Sequence, residues 1–228
     1  MVIETANAGE DAAVRAFLLG TGFAMLCLQR GLFPLHASSV RIGDSCIALA
    51  GSSGMGKSTL AATLVKRGAS LTADDVSVVD LSAPASPSIL PAYPQMKLWR
   101  NSLDNLDIAA EGLLRVRRSF EKYAVPAATF FDSRPVRLAA IYGLADAGGM
   151  QQAEIGRLDG LDALGELTMN FYRRRLAAAM NLQNDSMRAA LKILAAVPLY
   201  RLPLTRSFDA LGAIAEELLS RHRSGLPS

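Results

Sequence analysis

The sequence predicts an α/β fold in which helices flank a mixed β-sheet. Two observations lead to this class. Short apolar runs typical of strands alternate along the chain with longer amphipathic runs of helical periodicity. A glycine-rich run at residues 51–58 stands between one such strand and one such helix, which is the context of a phosphate-binding loop. Half of the 228 residues are hydrophobic and 20% are charged, a composition that suits one globular domain with a buried core.

The first third of the chain predicts a helix, a hairpin and a second helix. Residues 11–30 carry a broad apolar face at helical spacing. Two apolar runs, residues 35–42 and Ser45–Ala50, are joined through a Gly-Asp turn and predict a hairpin. Residues 57–67 predict a helix because their apolar side chains share one side, and Gly68 follows as a stop signal.

The rest of the chain predicts further strands and helices. Short strand-like runs flank the Asp74-Asp75 pair, and the proline-rich stretch at 82–94 predicts an irregular connection. The other predicted helices cover residues 102–118, 161–180, 185–197 and 207–223, and the other strands cover residues 136–145, 152–158 and Leu199–Leu204. No internal repeat is present. We expect residues 1–30 to form an N-terminal helical segment and residues 31–228 to form one main domain.

The glycine-rich run fits the pattern G-x-x-x-x-G-K-[ST] completely. It consists of Gly51, Ser52, Ser53, Gly54, Met55, Gly56, Lys57 and Ser58, and Thr59 follows it. Glycines let the backbone curl so that N–H groups point at phosphate oxygens, and the start of the next helix adds partial positive charge. Lys57 is placed to bridge the β- and γ-phosphates, and the Ser58 hydroxyl to bind Mg²⁺. The motif therefore predicts a site for ATP with Mg²⁺.

Several function classes are disfavoured by the composition and by motifs that the sequence lacks. It contains no Asn-Lys-x-Asp run to read guanine and no Leu-Ser-Gly-Gly-Gln run of transporter ATPases. A net charge of +3, with basic clusters that fit solvated helix faces, does not favour a nucleic-acid partner. The apolar stretch at 12–28 is interrupted by Arg15 and two glycines, which disfavours a membrane span. The two cysteines lie in apolar runs, which favours buried thiols over a disulfide. We therefore expect a compact cytoplasmic phosphotransferase with buried free thiols.

Two aspartates and a histidine are the candidate catalytic residues. Asp74 and Asp75 follow Lys57 after a helix of about three turns, which returns the chain to the sheet edge beside the loop. One carboxylate there can accept the proton of an attacking hydroxyl, and its neighbour can hold Mg²⁺. His36 precedes the predicted hairpin and can hydrogen-bond to an aspartate, tuning its basicity. A polar turn and a structural histidine are the alternatives that these residues leave open.

A proline-flanked stretch at residues 91–100 holds the only tryptophan of the chain. Candidates for a lid or an acceptor groove over the phosphates are Tyr93, Lys97, Trp99 and Arg100. The alternative is a packed loop, and we expect Trp99 to fill the core. A kinase also needs cations around the transferring γ-phosphoryl group. The sequence offers four candidates without ranking them: Arg100, Arg115, Lys122 and Arg173.

Four runs carry a likeness to a known family: Leu35-His36-Ala37-Ser38, Gly51-Ser-Ser-Gly-Met-Gly-Lys-Ser58, Lys66-Arg67-Gly68 and Leu71-Thr72-Ala73-Asp74-Asp75. Together they resemble the catalytic domain of HPr kinase/phosphorylase, whose fold is related to the nucleotide-binding core of phosphoenolpyruvate carboxykinases. The resemblance implies a P-loop kinase core with Lys57 and Ser58 in phosphate and magnesium roles. It also implies Asp74 as the general base with His36 as its neighbour, and we assign Asp75 to the metal.

The chain departs from the family pattern after the glycine-rich loop. Thr59 stands where the family has an acidic residue, and residues 91–100 stand where it has an Arg-Gly-Leu-Gly loop that contributes a metal-binding glutamate. No glutamate occurs between Asp75 and Asp107. Because that loop is tied to the phosphorylase activity, we expect a kinase that lacks phosphorylase activity.

Short stand-alone relatives resemble the kinases of peptide natural-product gene clusters, lasso peptides among them. The resemblance implies a serine of a peptide or protein as the phosphoryl acceptor. Two other functions stay open, a small-molecule hydroxyl kinase and a nucleotide-binding regulator that transfers nothing. A homo-oligomer is also compatible with the sequence.

Overall fold

The computed structural model describes residues 11–117, 120–148, 154–205 and 207–223. Its strands are β1 (Phe33–Leu35), β2 (Ala37–Ile42), β3 (Ser45–Ala50), β4 (Ser70–Ala73), β5 (Ser77–Asp80), β6 (Ser88–Leu90), β7 (Gln95–Trp99), β8 (Leu114–Arg115), β9 (Lys122–Pro126), β10 (Val136–Asp146), β11 (Gly156–Leu158) and β12 (Leu199–Leu204). Its α-helices are α1 (Asp11–Phe17), α2 (Phe23–Gln29), α3 (Lys57–Lys66), α4 (Arg100–Asn105), α5 (Gly160–Met169), α6 (Arg174–Ala179), α7 (Gln183–Ala196) and α8 (Phe208–Arg223).

The strands of the described residues form two sheets. The larger one has the order β1-β5-β6-β10-β3-β2-β4, and β12 and β11 extend it from β10. Strand β10 runs parallel to β3 and to β12, whereas β2 and β3 form an antiparallel hairpin. The smaller sheet is antiparallel with the order β7-β9-β8. The predicted mixed α/β architecture with flanking helices is therefore confirmed.

The core lies on both faces of the larger sheet, and β3 shows why. All six of its residues are buried, and they alternate between the two faces. Ile47 and Leu49 face the apolar cluster that includes α3 and α8, while Cys46, Ala48 and Ala50 face the cluster that includes α5 and α7. The loop after β3 therefore starts from a strand that is held from both sides.

The N-terminal helical run packs on this sheet through α2. Residues Leu18–Gly22 form a π-helical turn between α1 and α2, so the predicted helix at 11–30 is nearly continuous. Ala24 and Cys27 of α2 pack against Val76 and Val78. Both cysteines of the chain are buried and unpaired, as the sequence predicts. No helix within the described ranges is long and apolar enough to cross a membrane.

The helix predicted at 102–118 is wrong beyond its start. Helix α4 covers only the beginning, and Asp107 then has a φ of 58°, a left-handed conformation that an α-helix cannot continue through. The chain turns at Gly112 and returns as β8, which pairs with β9. The apolar spacing that predicted a longer helix belongs in part to Leu103 and Leu106, which are buried in the core.

The helix predicted at 161–180 is interrupted, and the interruption reaches β1. Helices α5 and α6 are separated at Arg173, which has a φ of 55°. Between them the backbone pairs with β1: the His36 N–H donates to the Asn170 carbonyl (2.8 Å) and the Tyr172 N–H to the Pro34 carbonyl (2.9 Å). These bonds replace helical ones and bring Tyr172 beside His36.

Two stretches predicted as loops contain strands. The connection at 82–94 includes β6, which lies between β5 and β10. The stretch at 91–100 includes β7, whose residues Met96 and Leu98 face the core. Pairing with distant strands supplies the hydrogen bonds that make these short runs regular.

Candidate active site

The glycine-rich loop joins the C-terminal end of β3 to the first turn of α3. Gly51 has a φ of 147°, and a Cβ atom there would lie 3.2 Å from the Leu144 carbonyl oxygen. Gly56 has a φ of 87° and immediately precedes Lys57, the first residue of α3. Both conformations are ones that side chains other than glycine rarely adopt. The loop therefore presents backbone N–H groups at the start of a helix, where anions bind.

Lys57 is buried at the centre of the candidate site. Its Nζ donates to the carbonyls of Gly51 (2.6 Å) and Ser52 (2.9 Å) and lies 3.1 Å from His36 Nε2. Burial lowers the pKa of Lys57 to about 8, although nearby carboxylates oppose the shift. The side chain is thus folded back across the loop that it is expected to share with phosphate.

His36 links Lys57 to the second aspartate. Its Nε2 faces the Lys57 ammonium, and its Nδ1 lies 3.1 Å from the Asp75 backbone carbonyl and 3.6 Å from the Asp75 carboxylate. An ammonium can only donate, so this network assigns the proton to Nδ1. Burial and the charge of Lys57 lower the pKa of His36, which keeps the ring neutral. His36 was expected beside Asp74, but its contacts are with Asp75.

Asp74 is deeply buried and satisfied by three donors. Its Oδ1 accepts from the hydroxyls of Ser38 (2.6 Å) and Ser58 (2.8 Å), and its Oδ2 accepts from the backbone N–H of Lys97 (2.7 Å). Only 3% of the residue is exposed. The Ser58 hydroxyl at the start of α3 is thereby tied to the strand end that carries the aspartate pair.

Asp75 is more accessible and occupies a strained backbone position. Its φ is 71°, a left-handed conformation that Asp and Asn tolerate better than most residues. Its carboxylate accepts from Lys97 Nζ at 2.7 Å. Burial alone would raise the pKa of Asp75, but Lys97, with His36 and Lys122, lowers it below its usual value. Asp75 is therefore a carboxylate at neutral pH, and its charge opposes the lowering of the Lys57 pKa.

The smaller sheet contributes a basic face to this cluster. In its register Trp99 pairs with Lys122 and Lys97 pairs with Ala124, and directly paired residues project on the same face. The Lys122 ammonium lies 5.8 Å from the centre of the Trp99 ring. Lys97 is 7% exposed, whereas Trp99 is 39% exposed and does not fill the core as expected. From the sequence, Lys97 was only a candidate for a lid or an acceptor groove. The apolar residues Met96 and Leu98 alternate with Lys97, and this alternation was the signal for a strand.

The four candidate cations occupy different surroundings. Arg100 is exposed and pairs with Asp104 (2.9 Å), and Arg115 lies over the Tyr123 ring near Glu121. Arg173 lies over the Tyr172 ring, next to His36. Lys122 alone of the four influences the pKa values of His36, Lys57 and Asp75 together. Among these four side chains, Lys122 is the one that shares the electrostatic field of the loop and the aspartates.

The loop has a second side, which carries Thr59. The Thr59 hydroxyl lies 2.9 Å from that of Ser102 at the start of α4, in a buried contact. Thr59 follows Ser58 in α3, but Ser58 bonds to Asp74 and Thr59 does not share that partner. The loop therefore separates an acidic and basic cluster on one side from an α4 contact on the other.

The donor atoms near Ser58 fit a magnesium ion. Ser58 and Asp74 offer a hydroxyl and a carboxylate oxygen 2.8 Å apart, and both are hard donors. No group of three or more His, Cys, Asp or Glu side chains that could hold a metal occurs among the described residues. Mg²⁺ in phosphate sites keeps several waters and takes one or two carboxylates plus substrate phosphates. The Ser58 hydroxyl and the Asp74 carboxylate are compatible with that coordination.

Together these features describe a mixed α/β protein in which a glycine-rich loop precedes a helix. A pair of aspartates at the end of a strand lies beside that loop. Residues 32–130 match the family model described as the HPr Serine kinase C-terminal domain. Over these residues the chain is similar to the HPr kinase family, and the resemblance seen in the sequence is confirmed. His36, the loop, both aspartates, Lys97 and Lys122 all lie within the matched residues.

The chain is similar to the Hpr(Ser) kinase/phosphatase from Coxiella burnetii, with 15% identity and a TM-score of 0.47 over 84% of this chain and 96% of that chain. No curated protein sequence matches the chain.

Proposed function

We propose that this protein is an ATP-dependent kinase that transfers the γ-phosphoryl group to a serine hydroxyl of a peptide or protein. A lasso-type precursor peptide is a candidate acceptor. The observation that carries the proposal is one hydrogen-bonded cluster in which Lys57, His36 and Asp75 meet on one side of the glycine loop. A phosphate cradle, a cation and a carboxylate within one cluster are the parts that phosphoryl transfer needs.

The glycine loop is proposed to hold the ATP phosphates. Backbone N–H groups from Ser52 to Ser58 would contact them, with Lys57 exchanging its carbonyl partners for β- and γ-phosphate oxygens. The Mg²⁺ that accompanies ATP would take Ser58 and Asp74 as its protein donors and neutralise phosphate charge when bound. The Thr59 end of the loop would then lie toward the α-phosphate.

The geometry favours an exchange of the roles first expected for the two aspartates. Asp74 is buried, bonded to Ser58 and saturated by three donors, so it suits the metal side. Asp75 is more accessible and is flanked by His36 and Lys97. We therefore assign Asp75 as the carboxylate that orients the acceptor hydroxyl and takes its proton.

We propose that the phosphoryl group passes directly from ATP to the serine hydroxyl. The serine oxygen attacks the γ-phosphorus, a new P–O bond forms, and the bond from that phosphorus to the β–γ bridging oxygen breaks. ADP leaves with the bonding electron pair, and the serine proton passes to an oxygen of Asp75. Lys57 and Lys122 supply positive charge where the phosphate oxygens are most negative. Lys97 holds Asp75 in place through its 2.7 Å ion pair.

The surroundings of His36 support a peptide acceptor over a small polar one. An apolar cavity of about 210 Å³ adjoins Tyr172, whose ring centre lies 5.7 Å from that of His36. Phe33, Met187 and Arg174 also line it. A deep polar pocket would favour a metabolite hydroxyl, whereas apolar and basic surfaces next to Tyr172 suit side chains of a peptide.

We also propose that the protein works as a kinase without phosphorylase activity. The support is chemical, because no glutamate stands between Asp75 and Asp107 to serve as a further metal ligand. Release of pyrophosphate from a phosphorylated acceptor and inorganic phosphate would contradict this proposal.

The roles of the aspartates are tested by Asp74→Asn and Asp75→Asn. Serine peptides on an array, incubated with ATP labelled in the γ-phosphate, would supply an acceptor. We expect Asp75→Asn to keep ADP·Mg²⁺ affinity while the single-turnover rate falls about 10²- to 10⁴-fold. Asp74→Asn should instead weaken Mg²⁺-dependent nucleotide binding. Asn tolerates the left-handed backbone at position 75, so the fold should persist.

Asp44→Asn, in the exposed β2–β3 turn, is the matched control and should change neither quantity. If Asp75→Asn loses nucleotide affinity but keeps its rate at saturating nucleotide, the original assignment with Asp74 as base is restored. Nucleotide binding by the wild-type protein without labelling of any peptide, or of small hydroxyl compounds, would favour a nucleotide-binding regulator.

A further inference from the structure

A large cavity opens on the Thr59 side of the glycine loop. Its volume is about 960 Å³, at the upper end of the range of small-molecule sites. Ser53, Gly54, Met55 and Thr59 form its loop wall. The opposite walls come from the start of α4, the end of β12 and the start of α8. The cavity is therefore continuous with the loop but is built mainly by elements far away in sequence.

The cavity and the aspartate cluster are built from different residues, and they adjoin where the ring centre of Trp99 of the cavity lies 5.8 Å from the Lys122 ammonium. Lys57, His36, Asp74 and Asp75 are not among the residues that line the cavity. A ligand that spans the loop would thus place one end at the aspartates and the other in the cavity. Because the loop lysine reaches the β- and γ-phosphates, the γ end belongs at the aspartates. The end left for the cavity is the nucleoside.

The lining suits an uncharged, flat and hydroxyl-bearing group. Trp99 and Phe120 meet edge to face with ring centres 6.2 Å apart at the cavity wall. The charged residues that line the cavity, among those described, are Arg100, Asp104, Glu121 and Asp146. Arg100, the one cation among these residues, is already paired with Asp104, so this lining offers little to attract a phosphate group.

One polar atom in the wall has no partner. The Thr205 Oγ1 at the end of β12 is buried and makes no hydrogen bond to the described residues. A hydroxyl in that position usually finds a partner, since an unsatisfied one costs free energy. Thr205 borders the cavity, so a bound molecule with a donor or acceptor can satisfy it.

We propose that this cavity holds the base and ribose of the donor nucleotide. The inference rests on the proposed kinase function, because it takes the loop as the site of the phosphates. Trp99 and Phe120 provide the aromatic surface for the base, and the Thr205 hydroxyl and nearby carboxylates provide partners for its edge and the ribose hydroxyls. The acceptor is placed elsewhere, since it must reach Asp75.

Two aromatic substitutions test the assignment on the full chain. Phe120→Ala removes a cavity wall that is 47% exposed, and Phe130→Ala is a matched control that is 54% exposed and does not line the cavity. Titration calorimetry would measure the affinities of each protein for ADP and for inorganic tripolyphosphate, both with Mg²⁺. We expect Phe120→Ala to weaken ADP roughly 5- to 100-fold, the range for loss of base stacking, and to leave tripolyphosphate unchanged. Phe130→Ala should change neither.

Trp99 gives an independent readout because it is the only tryptophan. ADP should shield it from acrylamide quenching more strongly than tripolyphosphate does. Equal weakening of ADP and tripolyphosphate by Phe120→Ala, or shielding by a serine peptide instead of ADP, would overturn the cavity assignment while leaving the loop assignment standing. If neither ADP nor tripolyphosphate binds the wild-type protein, the proposed function fails as well.

Discussion

His222 is a histidine in the last turn of α8 that the fold keeps neutral. It is 6% exposed, and its Nε2 lies 2.8 Å from the Tyr142 hydroxyl. Burial, with Arg221 and Arg137 nearby, lowers the pKa of His222 to about 4. Burial raises the pKa of Tyr142, so the phenol keeps its proton and forms a hydrogen bond with the neutral imidazole. The pair ties α8 to the long strand β10.

This pair predicts a loss of stability in mild acid. The pKa of His222 is depressed in the folded state relative to about 6.5 in an unfolded chain, so its contribution is present above pH 6.5. That contribution is lost as the pH falls toward 4, by about 3 kcal/mol in total. Urea unfolding at several pH values should show the loss, and His222→Gln should flatten it. An equal pH dependence in both proteins would contradict the pKa of His222. His36 titrates in the same direction, so the difference between the two proteins is the quantity to compare.

At the scale of elements, the small sheet β7-β9-β8 completes the candidate site. Its inner face buries Met96, Leu98 and Tyr123 in the core, and the opposite face presents Lys97 and Lys122. The backbone of β7 also donates to Asp74 through the Lys97 N–H. One strand thus positions both aspartates, one through its backbone and one through a side chain.

Lys122 is expected to stabilise the transferring phosphoryl group from this face. Lys122→Gln should lower the rate of transfer on the order of 10²-fold, as removal of one preorganised charge-stabilising group does. ADP affinity should change much less, because the charge develops on the γ-phosphoryl group. Lys122→Arg should recover part of the rate by restoring the charge. Single-turnover measurements with the peptide acceptor would give these values.

The same substitution at an exposed helix position, Lys192→Gln in α7, is the control and should leave the rate unchanged. A Lys122→Gln protein with wild-type rate would transfer the role to Arg173, which lies beside Tyr172 and His36.

At the scale of the whole molecule, the candidate site lies where the two sheets meet. Strand β3 enters it from the larger sheet with helices packed on both faces, and β7 enters from the smaller sheet. Helix α8 closes the apolar cluster on the α3 side through Leu211, Ala215 and Leu218. The C-terminal part of the chain therefore contributes a wall of the large cavity although its sequence carries no nucleotide motif.

What the sequence determined alone is the part that depends on near neighbours. The glycines of the loop, the strand before it and the helix after it follow from local periodicity and backbone freedom, and they are where the structure has them. The same holds for the aspartate pair at the end of β4 and for the apolar strands β10 and β12. These features were predictable because each one depends on residues that are close together in the sequence.

Only the tertiary structure decided which side chains meet. The pairing of β7 with β9 sets Lys97 against Asp75 and places Lys122 near it, and the break after α5 sets Tyr172 against His36. These contacts depend on strand pairings and core packing between segments far apart in the chain, which no local period encodes. For that reason the sequence could name Asp74 and Asp75 but could not say which one faces Ser58 and which one faces His36.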